Sequence, residues 1–82
     1  MVISRAQCRA ARALLEWTQD RLSAEAAVSK KTLVDFEAGK RTPYDRTIAD
    51  IVRALENAGI EFIPANGGGV GVRFSRKTDT VK

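Results

Sequence analysis

The sequence predicts a mainly α chain, four helices followed by a C-terminal β-hairpin. Three observations lead there. Apolar residues recur at three- and four-residue spacing as far as about residue 58. Residues suited to helix caps, Ser4, Thr18 and Ser29, stand immediately before three of those stretches. Beyond Gly59 the spacing drops to two, on either side of a glycine run.

Helix one opens at Ser4, which forms a capping-box pair with Gln7, while Ile3 and Cys8 take the hydrophobic-staple positions. Cys8, Ala11, Leu14 and Leu15 make one apolar stripe, and Arg5, Arg9 and Arg12 recur on a different face that reads as solubilising surface. Trp17-Thr18 interrupts the pattern, with Trp17 as an anchor between helices. Thr18 then caps a short helix over Gln19–Ala26, with Asp20 at its positive end and Leu22 and Ala26 facing inward. After a turn of two or three residues, Ser29 caps helix three. Leu33 and Phe36 form its buried edge, and Lys30, Lys31, Val34 and Asp35 its other side. Gly39 ends it, and Pro43 bars continuation. Helix four starts near Tyr44 or Asp45 and carries Ile48, Ile51, Val52 and Leu55 on one stripe. Ile60–Ile63 and the alternating Val70, Val72 and Phe74 flank Asn66-Gly67-Gly68-Gly69 as the two arms of the hairpin.

Composition removes several classes of function. Eighty-two residues leave room for one self-sufficient domain. No apolar run approaches the ~20 residues of a membrane-spanning helix, so no membrane association is expected. Met1-Val2-Ile3-Ser4-Arg5 begins no secretory leader, and a cytoplasmic protein is expected. The single cysteine, Cys8, cannot make an internal disulfide and reads as a small buried thiol in a reducing compartment. With no histidine and one thiol, the chain holds neither a His/Cys zinc set nor a Ser–His or Cys–His nucleophilic pair. Neither an enzyme nor a cofactor is expected, and no constellation argues for a small-molecule ligand. The 14 Lys and Arg residues outnumber the 10 Asp and Glu, a net charge of +4 that favours an acidic partner.

The helix–turn–helix arrangement says which partner. The major groove of B-DNA, ~12 Å wide, admits one α-helix, and only the leading residues of that helix reach base edges. The leading residues of helix three are Lys30 and Lys31, with Thr32, Val34 and Asp35 behind them. Lysine can donate to O6 and N7 of guanine, and Asp35 either accepts from cytosine or braces a lysine. Gln19 and Ser29 begin their helices, where side chains and free amides can hold phosphate, and Lys40 and Arg41 follow in an exposed turn. Tyr44 could donate its hydroxyl to a phosphate or cover the loop.

Two runs make the likeness specific: Trp17-Thr18-Gln19-Asp20-Arg21-Leu22-Ser23, and Val28-Ser29-Lys30-Lys31-Thr32-Leu33-Val34-Asp35-Phe36-Glu37-Ala38-Gly39-Lys40-Arg41-Thr42-Pro43. Together they resemble the Cro/C1-type (Xre family) helix-turn-helix, over about Gln7 to Leu55. The resemblance implies a four-helix lambda-repressor-like DNA-binding domain with an appended hairpin. It implies Lys30, Lys31 and Asp35 as base-contacting residues and Gln19, Ser29, Thr32, Lys40 and Arg41 as phosphate-contacting ones. Glu37 matches the family's helix-end acid, a brace rather than a contact. One departure is Ala27, where the family often has glycine; a positive φ there costs alanine about 1 kcal/mol more. The stretch from Gly59 through the glycine run to Val72-Arg73 resembles tails on small bacterial members.

The organisation expected is a DNA-binding domain over 1–58, a hairpin extension over 59–76 and a frayed tail over 77–82. The function expected is sequence-specific binding of double-stranded DNA and transcriptional regulation, as a repressor. One copy would bury only ~600–1,000 Å² on DNA, so a homodimer on a palindrome is expected. The hairpin and the end of helix four would form its interface, because Val70, Val72 and Phe74 need a partner. The alternatives are an antitoxin-like or adaptor module that uses the same fold for protein contacts, and a nucleic-acid binder without base readout.

Overall fold

A computed structural model describes residues 1–75. The expected tail over 77–82, and Arg76 at the end of the expected hairpin extension, lie outside the described residues. Four helices, α1 (Arg5–Leu15), α2 (Gln19–Ala26), α3 (Lys30–Glu37) and α4 (Asp45–Asn57), are followed by strands β1 (Ile60–Ile63) and β2 (Gly71–Phe74). The chain is thus mainly helical with an antiparallel hairpin at its C-terminal end, as the sequence predicts.

Local chemistry sets the boundaries. Ser4 Oγ accepts from Gln7 N at 3.0 Å and Gln7 Oε1 accepts from Ser4 N at 2.9 Å, which completes the capping box. Thr18 and Ser29 cap α2 and α3 by accepting from Arg21 N and Thr32 N. Each such cap contributes about 1 kcal/mol. Tyr44, at the start of α4, makes no side-chain cap. At the other end of α3, Gly39 takes φ +79°, with Gly39 N bonded to Phe36 O and Lys40 N to Asp35 O. That pairing closes the helix with a left-handed residue, the conformation glycine reaches without steric cost. The same closure ends α1 and α2, but there Glu16 (φ 58°) and Ala27 (φ 57°) occupy the left-handed position. The Ala27 turn expected from the sequence is present; the one at Glu16 is not visible in the sequence, because no glycine marks it.

The core gathers one stripe from each helix. Leu22, Leu33, Ile51 and Leu55 are fully buried, with Ile48, Phe36, Cys8 and Ala11 around them. Leu14, expected in the α1 stripe, is 38% exposed because it falls at the edge of the buried face. Trp17 is half-buried against the core, and Arg21 lies 4.6 Å over its ring.

The hairpin pairs Ile60 with Phe74, Glu61 with Arg73, Phe62 with Val72 and Ile63 with Gly71. Ile60 and Phe62 are buried in the same core as the helices, with Val72 and Phe74 packed against it. Full burial of each large apolar side chain contributes about 1.5–3 kcal/mol. Gln7 adds a polar tie, donating to Gly71 O at 3.0 Å and Ile63 O at 3.5 Å. The hairpin therefore packs on its own chain, and Val72 and Phe74 need no second copy to cover them. Val70, which the alternation places with them, precedes β2 and is 50% exposed.

Candidate nucleic-acid interface

The interface is organised by a buried junction at the far end of α3. Glu37, 4% exposed, takes hydrogen bonds from three side chains. Arg12 donates from Nε to Oε2 and from Nη2 to Oε1, both at 2.8 Å. Gln19 Nε2 donates to Oε1 at 2.9 Å, and the Cys8 thiol to Oε2 at 3.1 Å. Arg9 Nη1 donates to the Glu37 carbonyl, and Arg12 Nη1 to the Trp17 carbonyl at 3.0 Å. One carboxylate thus ties α1, the start of α2 and the end of α3 together. Among the described residues no buried side-chain nitrogen or oxygen lacks a partner. Burial pushes the Glu37 carboxyl up, but its bonds from Arg12, Cys8 and Gln19 outweigh that and hold it below the ordinary carboxylate value. Burial, then the Glu37 carboxylate, pushes the Cys8 thiol far up.

The arginines of α1 are consequently not one solvated face. Arg9 and Arg12 belong to the junction, while Arg5 lies against Gly39 just beyond it, where a Cβ would run into its guanidinium. Helical spacing puts the three in a row but does not reveal the acceptors that Arg9 and Arg12 meet. Arg5, Lys40 and Arg41 line one shallow depression beside the α3–α4 loop. Its neighbour is a recess formed by Thr32, Arg41, Thr42, Tyr44 and Thr47. Tyr44 stands 87% exposed at the mouth. Arg5 is the cation that the reading of the sequence missed at this loop.

The residues singled out from the sequence fall into two groups. Ser29, Lys30 and Lys31 are exposed at the leading end of α3, next to the start of α2. Lys30 Nζ sits 2.9 Å from Asp20 Oδ1, and Lys31 Nζ 3.2 Å from Asp35 Oδ2. Asp35 braces a lysine, then, with its side chain only 17% exposed. Ser29 Oγ bonds to Thr32 Oγ1 at 2.8 Å as well as capping. Gln19 has its amide donor turned inward to Glu37, so what the start of α2 offers outward is its free backbone amides. The second group, Lys40 and Arg41, lies beyond the end of α3. An α-helix with its side chains is about 10–12 Å across, which matches the width of the major groove.

Among the described residues no group of three or more His, Cys, Asp or Glu is placed to hold a metal, and no helix is long and apolar enough to cross a membrane. A family model for the helix-turn-helix matches residues 9–61, well over half of the chain. No curated protein matches it. The matched span contains α2, the tight turn, α3 and the loop with Lys40 and Arg41. That family binds DNA and is not one of enzymes. With Thr18-Gln19 opening α2, Ser29 capping an outward α3 and Glu37 bracing its end, the chain belongs to the helix-turn-helix family of Cro/C1 (Xre) type.

Proposed function

We propose that this protein is a cytoplasmic, sequence-specific repressor of transcription that binds a palindromic site in double-stranded DNA as a homodimer. The observation that carries the reading is the mounting of α3. Its C-terminal end is fixed in the Glu37 junction, while Lys30 and Lys31 project from the leading end, where a groove-bound helix meets base edges. Lys30, Lys31 and Asp35 contact bases in this reading, with Asp35 acting through Lys31. The phosphate contacts come from the backbone at Gln19 and Ser29, from Thr32, and from Lys40 and Arg41, with Arg5 and Tyr44 beside them. The small area one copy can bury on DNA supports a dimer. Met1, Val2 and Val70, exposed around the hairpin, support that side as its contact surface.

Selection of bound sites from random duplex DNA tests the reading. A repressor dimer returns a palindromic consensus, with half-sites about 34 Å apart and a preference of ~10³ or more over random duplex. An adaptor or antitoxin-like module returns no consensus, and that outcome overturns the proposal.

A further inference from the structure

The two lysines at the front of α3 are each already engaged. Lys30 is held by Asp20 of α2, and Lys31 by Asp35 one turn along its own helix. The Lys30–Asp20 pair is open to water, its side chains 54% and 74% exposed, so it packs nothing together. Two cations and two anions therefore cancel on the reading face. The loop after α3 differs: among the described residues, Lys40 and Arg41 have no ion-pair partner. Attraction for phosphate is concentrated at the loop, and the helix that meets the bases is balanced.

Resting on the DNA-reading function proposed above, we infer that Asp20 is a specificity-determining residue. It holds Lys30 back from the phosphates of arbitrary duplexes and releases it where a base edge offers a better acceptor. The strength of the contact suits that task. An exposed ion pair contributes a factor of about five at most, so it is exchanged easily. A good contact to guanine O6 and N7 is worth about tenfold or more in discrimination and outcompetes it. A lone phosphate gives mainly counterion release, which falls steeply as salt rises. Asp20 thereby lowers the sequence-independent part of the affinity more than the specific part.

The test is the full chain carrying Asp20→Asn, measured on its selected site and on random duplex across a salt series. Glu25→Gln serves as the control, because it removes the same charge from an exposed pair with Arg21 at the other end of α2. Asp20→Asn is expected to raise affinity for random duplex about fivefold and to steepen the salt slope by about 0.9, the value of one further phosphate contact. Affinity for the selected site should stay within about twofold, so that preference falls. Glu25→Gln should move random-duplex affinity by less than about twofold. A response to Asp20→Asn equal to that of Glu25→Gln, or a loss on the selected site with no gain on random duplex, overturns the role of Asp20. The unaltered chain, measured alongside, separates the two readings. If it shows no preference, the regulator itself is refuted; if Asp20→Asn leaves a real preference intact, only the inference about Asp20 is.

Discussion

The two ends of α3 carry the same kind of contact, a carboxylate against a cation, in opposite surroundings. At the C-terminal end Glu37 and Arg12 are 3% and 19% exposed at their side chains, and further donors complete the carboxylate. At the N-terminal end Lys30 and Lys31 meet Asp20 and Asp35 through contacts whose lysines stand largely in water. A buried pair is hard to break, because either partner left alone is an uncompensated charge. An exposed pair costs little to exchange. One end of the helix is thus fixed and the other kept replaceable, as the proposed reading of bases by α3 requires.

The comparison can be broken first at the fixed end. Glu37→Ala leaves the Arg12 guanidinium without its carboxylate and should cost about 3 kcal/mol of stability in a denaturant titration. Acid should weaken the same contact more gradually. Because the folded carboxyl titrates below its ordinary value of 4.5, its contribution is complete above about that pH. It is lost as pH falls through the lower folded value, and stability followed from pH 6 downward should show that loss and Glu37→Ala should not. At the replaceable end, Lys30→Ala or Lys31→Ala should leave stability within about 0.5 kcal/mol. Either should cost about 1–3 kcal/mol on the selected site and relax preference at a base pair. Lys40→Ala should instead weaken all duplexes alike and lower the salt slope by about one. The smallest effect is expected in the turn between α2 and α3. Ala27→Gly relieves a left-handed alanine that costs about 1 kcal/mol, offset by the larger entropy of unfolded glycine, for a net gain of under about 1 kcal/mol in a thermal melt.

Much of this arrangement can be read from local chemistry. Ser4, Thr18 and Ser29 mark their helices because a cap acts within three residues, and Gly39 and Gly59 mark ends because glycine takes positive φ cheaply. The Ile48–Leu55 stripe foretells α4, since periodicity reports which residues share a face. What the spacing does not carry is the partner of that face. Within the Arg5-Arg9-Arg12 row, Arg9 and Arg12 read as solvated until Glu37, 25 residues on from Arg12, is brought against them. Gln7 reads as a cap, yet its amide also holds the hairpin 64 residues away. The hairpin's need for a covering surface is legible; that its own helices provide it depends on tertiary packing. That Lys30 and Lys31 stand exposed at the front of α3 is legible from the Ser29 cap, whereas the Lys30–Asp20 pair required the approach of α2 to α3.

The thiol of Cys8 has a practical consequence. It is 0% exposed and points its proton at the Glu37 carboxylate. Ionising it would set a second negative charge against the first, and a thiol reagent reacts with the ionised form. The folded chain therefore shields its only thiol twice, by access and by charge. Any label that arrives there records a moment when the helices around Glu37 had parted, so the rate of labelling is a built-in clock for how often α3 works loose from its mount.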